Sequence, residues 1–506
     1  MAYAQDPPPI DLNLPGNSCR NPIRVVEPGM MRGSTAGLQS ETSGQLACID
    51  ATTWAGPDVY FRVDLSAGER LRVTDTRAGG FNSGVYLFTQ CGQPADTCQA
   101  GCRGANCTAT YKADEDTTLY VGFDGAANQQ GEYGVYFDIE REGVGFQVVS
   151  IPWVGTAPEV PHDGVAGDWS YMQAVAFNCD QPIDFRWDFE GDGQWDMDWT
   201  RAPNRWNLGV KHTWPADLDT STLYIARVEA RCGEETDTAQ FPIRARVEAT
   251  KAQRVNRLIS NGLWLGHIAA ARDANTRKMW WRAAPDTSVF AQAMLNRGHK
   301  IELNPLVDPY AEDVKWMTHY ILDRATRFNI AEQAGGVNPD VNGNGYGFRF
   351  EGEENYGGGV QLEMVASVGD LDYRIPPTIG APAEAVGRSV REIVADGAEY
   401  FYFSQSEIRF GDNPDGTPAY AGGWDYSRNS GTIDTSQVGW ASVGLFAAEI
   451  NTGLQVPQWV KDRLYTAVRW TDASRGGDAS RFGGYGYRGW NSCGANHARS
   501  GAMLNA

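Results

Sequence analysis

The chain has no uninterrupted apolar run of eighteen residues, the length at which a bilayer-crossing helix becomes readable, so no segment reads as membrane-spanning. It is short of positive charge. Lys and Arg number 43 against 63 Asp and Glu, a formal charge of −20. Such a surface repels phosphate backbones and anionic lipid, which excludes nucleic acid as a partner. Missing too are H-E-x-x-H and G-x-S-x-G, and with them local support for zinc-peptidase or serine-hydrolase chemistry. After residue 233 cysteine almost vanishes, with only Cys493 remaining. What is present, 506 residues of which 42% are hydrophobic, is enough for about three domains with buried cores.

The other eight cysteines are Cys19, Cys48, Cys91, Cys98, Cys102, Cys107, Cys179 and Cys232. Their clustering in β-rich sequence favours disulfides and an oxidising compartment. Favoured pairs are Cys19 with Cys48 and Cys179 with Cys232, with local bridges inside the Cys91 to Cys107 cluster, whose connectivity stays open. Zinc is the alternative, and the C-x6-C-x3-C-x4-C spacing lacks the tight C-x2-C knuckles of structural zinc. Ala2-Tyr3-Ala4 before Gln5 reads as the trimmed end of an export signal. Residues 1–16, rich in proline, then form an extended lead-in to a protein secreted or displayed by a bacterium.

From 17 to 143, alternating runs such as Val59-Tyr60-Phe61-Arg62-Val63 and Leu119-Tyr120-Val121 stand between Gly, Asn and Asp turns and predict an antiparallel β-sandwich. The string Gly56-Pro57-Asp58-Val59-Tyr60-Phe61-Arg62-Val63-Asp64-Leu65 with Gly84-Val85-Tyr86-Leu87-Phe88 resembles the bacterial pre-peptidase C-terminal domain. That likeness implies an accessory module of secreted proteins, without catalytic residues. A second β segment, 144–249, has Cys179, Trp187 and Cys232 in the order of an aromatic packed on an inter-sheet disulfide. Its pieces Trp187-Asp188-Phe189-Glu190-Gly191-Asp192-Gly193 and His212-Thr213-Trp214 resemble PKD domains and imply a spacer or adhesive module.

From 250 to 506 the hydrophobic period moves toward 3.6. Val390, Ile393, Val394, Gly397 and Phe401 mark a one-faced helix, while Asp434 to Thr452 is apolar nearly all round. Gly422-Gly423-Trp424-Asp425-Tyr426-Ser427, Asp434-Thr435-Ser436 and Trp440 resemble the alpha/alpha toroid of prenyltransferases and squalene cyclases. The likeness implies an all-α ring around an aromatic-lined hollow. Only four helix pairs are countable, so the toroid is expected to be truncated at its C-terminal end. The expected fold is thus multidomain: two all-β sandwich modules followed by an all-α alpha/alpha toroid.

Asp340-Val341-Asn342-Gly343-Asn344-Gly345-Tyr346-Gly347-Phe348-Arg349-Phe350-Glu351 satisfies D-x-[DN]-x-[DN]-G-x5-E. Asp340, Asn342, Asn344, Glu351 and the Tyr346 carbonyl are therefore candidate calcium ligands, against the reading of a plain Asn/Gly turn. Asp188, Glu190, Asp192 and Asp196 form a second acidic loop that calcium would suit, though such loops also stand without metal. Prenyltransferases hold zinc with Asp and Cys two apart, plus a His. Asp434 and His497 match that pattern, but Ser436 replaces the thiolate, which argues against zinc. The D-x-D-D acid of squalene-hopene cyclases is also missing. Asp434 is then the one catalytic candidate, and a buried thiol or a partner in absent sequence is the ordinary reading of Cys493. The sequence favours a secreted or cell-surface, non-catalytic binding or scaffold protein, calcium being its one candidate cofactor. Its partner would be an extracellular protein, a glycan or an apolar ligand. The alternative is an exported toroid enzyme acting on an isoprenoid or polysaccharide.

Overall fold

The structure is a computed structural model, and it describes residues 16–488 except 26–28, 43, 47, 66, 77–80, 105–106, 141–144, 152–161, 221–222, 334–335, 351–354, 408, 413–417, 421, 431 and 473–483. The export-signal remnant, Glu351, Cys493, His497 and the helix expected from Ala495 lie outside the described residues. The chain divides into two compact units, 1–145 with 374–377 and 385–387, and 146–373 with 378–384 and 388–506.

In the first unit, period-two alternation builds two facing sheets. One orders Ile23–Val25, Val59–Leu65, Thr117–Gly125, Ser83–Phe88 and Cys98–Arg103, and the other Gly29–Ser34, Glu132–Glu140, Arg70–Asp75 and Thr108–Lys112. Phe61, Val63, Val85, Leu87, Val121 and Phe123 meet Leu71, Val73, Val135 and Phe137 between them. The first sheet is covered on its outer side as well. There Tyr60, Tyr86 and Phe88 pack with Leu46, Trp54 and Cys19, which is why Ser83–Phe88 is buried throughout. A four-residue helix, α1 (Pro94–Thr97), joins two strands of this sheet.

That outer layer corrects the expected Cys19–Cys48 pair. The bonds are Cys19–Cys91, Cys48–Cys98 and Cys102–Cys107. Cys19 and Leu46 pack on the outer face of the first sheet with Cys48, Cys91 and Cys98 beside them, so Cys19 and Cys48 each reach a partner in the 91–98 stretch and not one another.

In the second unit, His162–Val165, Glu235–Arg246, Leu223–Cys232, Ile183–Asp188 and Thr200–Arg201 form one sheet, beside the pairs Gln147–Ser150 with Ala174–Phe177 and Trp169–Met172 with Val210–Thr213. Trp187 is fully buried in the core and donates from Nε1 to the Leu208 carbonyl at 2.9 Å. Cys179 and Cys232 are bonded at the edge of this core.

The helices follow as α2 (Lys251–Ala269), α3 (Ala284–Leu295), α4 (Pro309–Asp323), α5 (Tyr356–Ala366), α6 (Val390–Ser404), α7 (Thr435–Thr452) and α8 (Gln458–Thr471). Capping boxes start α2 at Thr250 with Gln253 and α6 at Ser389 with Glu392. Asp434 caps α7, and Gly453 ends it at φ +78°. Three glycines open α5, Gly357, Gly358 and Gly359, at a cost of about 1 kcal/mol each relative to alanine. Gly359 lets α5 meet the α7 backbone at Trp440 and Ala441.

The expectation of an all-α toroid is overturned. Among the described residues strand accounts for 31% and helix for 27%, and the region after 250 is not a clear all-α domain. Three antiparallel ladders run among its helices: Ala271–Asp273 with Lys278–Trp280, Thr326–Asn329 with Tyr346–Arg349, and Arg409–Asp412 with Pro418–Tyr420. Turn-forming stretches between the helices fold back, and their backbone groups pair with one another.

Helices and sandwich interlock within this unit. Arg205 and the Trp206 indole both donate to Glu312 of α4, at 2.7 and 3.0 Å. His267 bonds the Trp206 carbonyl through Nε2 and Asp313 through Nδ1. Burial opposes the charge on Asp313, but His267 and Arg272 outweigh it and hold its carboxyl below the usual range.

Candidate functional site

The ladder Thr326–Asn329 with Tyr346–Arg349 carries the Asp340 loop to the buried face of α6. Asp340 organises the loop as an acceptor. Its Oδ1 takes the N–H groups of Gly343 and Asn344 at 2.9 and 3.1 Å, and its Oδ2 takes that of Gly345 at 2.9 Å. Gly343 and Gly345 sit at φ +77° and +82°, which L side chains rarely adopt. The Asn342 side-chain oxygen accepts from Asn344 N–H, and the Asn344 oxygen from Tyr346 N–H.

The loop rests on two acids of α6 that the motif did not include. Asp396 is fully buried, and its Oδ1 receives the Asn342 and Asn344 amides at 2.7 and 3.0 Å. Its Oδ2 receives Arg388 at 2.6 Å, and Arg388 also donates to the Tyr346 hydroxyl at 3.0 Å. Glu399, only 2% exposed, accepts from Asn342 N–H at 2.7 Å through Oε1. Its Oε2 is buried with no hydrogen-bond partner among the described residues. Burial pushes the Glu399 carboxyl up to about 7, against the pull of the Asn342 N–H and with the Asp396 and Asp340 charges adding to the rise. The only sequence signal for these acids was their spacing, i and i+3 on the inward face of a capped helix.

The Asp188 loop repeats the same design. Asp188 takes the N–H groups of Gly191, Asp192 and Gly193, at the same offsets that Asp340 uses, and both loops read D-x-x-G-x-G. Asp196 accepts from Phe189 N–H at 2.6 Å. Burial, then the neighbouring Asp196, raises the carboxyl of Glu190. Asp192 lies exposed on the outside. Among the described residues no group of three or more His, Cys, Asp or Glu stands in metal-binding array.

Asp434 caps α7, accepting from Ser436 N–H at 2.9 Å and from the Ser436 hydroxyl. A hydrogen bond to Asp434 raises the Tyr487 phenol. This is the chemistry of a helix start held in place. Among the tryptophans of the helical region, Trp264 and Trp424 are core residues, fully buried. Trp280 stacks on Tyr320.

A second acid pair, in the first unit, had no sequence signal. Asp58 and Asp124 are both fully buried, and their carboxyls are close enough to be coupled electrostatically. Asp58 Oδ2 takes Glu41 N–H, Thr42 N–H and the Tyr60 hydroxyl at 2.7, 2.8 and 2.8 Å. Burial raises both acids, Asp124 the further of the two, because two like charges in contact resist joint ionisation.

No family model and no curated protein matches the chain. Solved structures match over limited stretches. A periplasmic lysozyme inhibitor of g-type lysozyme, PliG of Aeromonas hydrophila, is 11% identical over 23% of this chain and 95% of that one, at a TM-score of 0.17. The Endo-D glycoside hydrolase domain of Streptococcus pneumoniae is 13% identical over 42% of this chain and 37% of that one, at 0.12. A Bifidobacterium dentium beta-glucuronidase is 9% identical over 44% of this chain and 49% of that one, at 0.16.

Proposed function

We propose that the chain is an exported bacterial binding or scaffold protein, in which a pre-peptidase C-terminal-like module and a PKD-like module accompany a mixed helical region. The observation that carries this reading is the complete pairing of Cys19, Cys48, Cys91, Cys98, Cys102, Cys107, Cys179 and Cys232, all within the two β-sandwiches. Crosslinks of this density belong to an oxidising compartment. No helix among the described residues is long and apolar enough to cross a membrane. The partner is an extracellular protein or a glycan. A shallow hollow of about 550 Å³ on the second sandwich, lined by Gln181, Asp184, Arg201, Arg231, Glu234 and Thr236, supports a polar ligand.

The test is expression of the full chain with and without a secretory leader, followed by thiol titration and binding of the folded product to a panel of polysaccharides. The expected result is a folded, fully oxidised product only with the leader, and glycan binding that Arg231→Ala weakens. Equal folding and an equal melting temperature for a fully reduced cytoplasmic product would overturn the export reading. A folded, oxidised protein that binds none of the panel would turn the partner assignment toward protein.

A further inference from the structure

We propose that α2 is a self-association surface, whose outward face pairs antiparallel with the same face of a second copy of this chain. One side of α2 is taken up by the second sandwich, where Arg257 bonds Asp168, Trp264 packs on Gly209 and His267 bonds the Trp206 carbonyl. The other side carries Val255, Leu258, Gly262, Leu265 and Ala269, and all five are exposed. Their alternating spacing of three and four residues is the a/d repeat of a two-helix seam, narrower than the apolar face with which a helix covers its own core. Leu258 is 65% exposed, Val255 45%, Leu265 44% and the adjoining Ile259 37%. At those exposures the four side chains offer on the order of 300–400 Å² of apolar surface per copy, the size of patch that marks a contact on an otherwise monomeric protein. Two copies, with the stems of the flanking residues, bury roughly 1,000 Å², the lower bound of a specific interface, so the dimer is weak and depends on concentration.

Charge decides the orientation. α2 holds Lys251, Arg254 and Arg257 in its first half and no acidic residue. In a parallel pair the exposed Lys251 and Arg254 of both copies would stand side by side at the positive ends of their helices. Turned antiparallel, each set lies over the last turn of the other copy, where the helix-end carbonyls and Asp273, three residues beyond the cap, supply negative charge. Register then follows from layers that alternate a with d. Val255 faces Leu265 of the second copy, and Leu258 faces Gly262, where even an added Cβ would meet nothing within 4 Å.

A second copy fits better than a lipid surface. The chain carries a charge of −20, which anionic headgroups repel, and the stripe lacks the aromatic rings that anchor interfacial helices, Trp264 being fully buried. Paired chains would present any binding face twice, which raises avidity for a repetitive ligand.

The test uses the full oxidised chain at about 0.15 M salt, where the net charges of two copies are screened beyond about 8 Å. Sedimentation equilibrium should show a reversible monomer–dimer exchange with a Kd on the order of 10 μM, as suits an interface of this size. Leu258→Glu and Leu265→Glu, at exposed positions, should each raise the Kd about ten-fold or more while the melting temperature of the dilute protein holds. Val307→Glu, exposed outside α2, should leave the Kd within about two-fold. Val255→Cys mixed with Leu265→Cys should form the mixed disulfide faster than either forms a symmetric one. A chain that stays monomeric up to about 100 μM would overturn the proposal, as would a dimer indifferent to both glutamate substitutions. Symmetric disulfides forming first would overturn the antiparallel register. A monomer that floats with phosphatidylglycerol vesicles, and loses them in Leu258→Glu, would overturn the second copy in favour of a membrane.

Discussion

The guanidinium of Arg186 lies 4.2 Å from the centre of the Trp195 ring, and Trp199 closes over it from 4.4 Å. The stack continues on both sides, with Arg227 at 5.7 Å from Trp195 and Arg231 at 4.5 Å from Trp199. Cations and rings alternate, so each indole face meets positive charge. Arg186 is also held by Glu229 at 2.7 Å, across the strand pair Ile183–Asp188 with Leu223–Cys232. The acidic 188–199 loop is thus fastened to the sheet by stacking. Arg186→Ala should cost about 1–3 kcal/mol, from two cation–π contacts and an uncompensated Glu229. Arg186→Lys should recover only part of it, because an ammonium lacks the planar faces that two indoles sandwich. Thermal melts of the three proteins check this, and equal melts would show the stack to be ornamental.

The Asp58–Asp124 pair makes the first sandwich sensitive to pH. Both acids are raised in the fold, Asp58 to about 6 and Asp124 to about 9, chiefly by burial. The folded state therefore holds protons that the unfolded chain releases near pH 4. Stability from this pair is complete below pH 4 and is lost as pH rises through 6 and on toward 9. The other groups around it, the Tyr60 and Tyr86 phenols, are themselves pushed up by burial and stay neutral over this range. Hydrogen-exchange protection in Val59–Leu65 should fall about ten-fold or more between pH 5 and 8. Asp124→Asn should flatten that slope. A flat wild-type profile would mean that the two carboxyls do not share a proton.

Disulfide mapping gives a sharp check on the outer layer of that sandwich. Proteolysis under non-reducing conditions should yield linked peptides for Cys19 with Cys91 and Cys48 with Cys98. Recovery of a Cys19–Cys48 peptide would contradict the layer itself, since both cysteines would then turn away from the sheet. In the second sandwich, the double change Cys179→Ser with Cys232→Ser opens a crosslink with a sequence separation of 53 and should cost about 2–5 kcal/mol.

Much of the fold was legible where local chemistry and tertiary placement agree. The cap at Asp434 and the stop at Gly453 bounded α7, and alternation from Val59 to Val63 fell within the strand Val59–Leu65. The hairpins after residue 270 were not legible, because strands of three or four residues are too short for a period of two to outweigh the helices around them. Disulfide partners depended on which segment covers the outer face of a sheet, a long-range fact. At the candidate site the loop from Asp340 to Gly345 could be read from its turn chemistry, whereas Asp396 and Glu399 read as polar interruptions of a helix. The close packing of Gly347 against the α6 backbone at Asp396 and Tyr400 and the hydrogen bonds of Asn342 and Asn344 bring the two together.

Gly359, at the contact between α5 and α7, and Gly262, on α2, offer substitutions with opposite signs. At Gly359 an added Cβ would lie 2.3 Å from the Trp440 carbonyl oxygen, and at Gly444 one would lie 2.6 Å from the Gly359 carbonyl oxygen. Both obstacles are backbone, which cannot swing aside as a side chain can. Helix propensity favours Gly359→Ala by about 1 kcal/mol, but forcing the two helices apart costs about 1–3 kcal/mol or more and disturbs a buried seam. The collision wins, so Gly359→Ala should lower the melting temperature by several degrees. Gly262, on the exposed side of α2, has nothing within 4 Å of its added Cβ. There the propensity term acts alone, and Gly262→Ala should raise stability by up to about 1 kcal/mol. If Gly359→Ala stabilised the protein as Gly262→Ala does, the two helices could not approach as closely as the glycine seam requires.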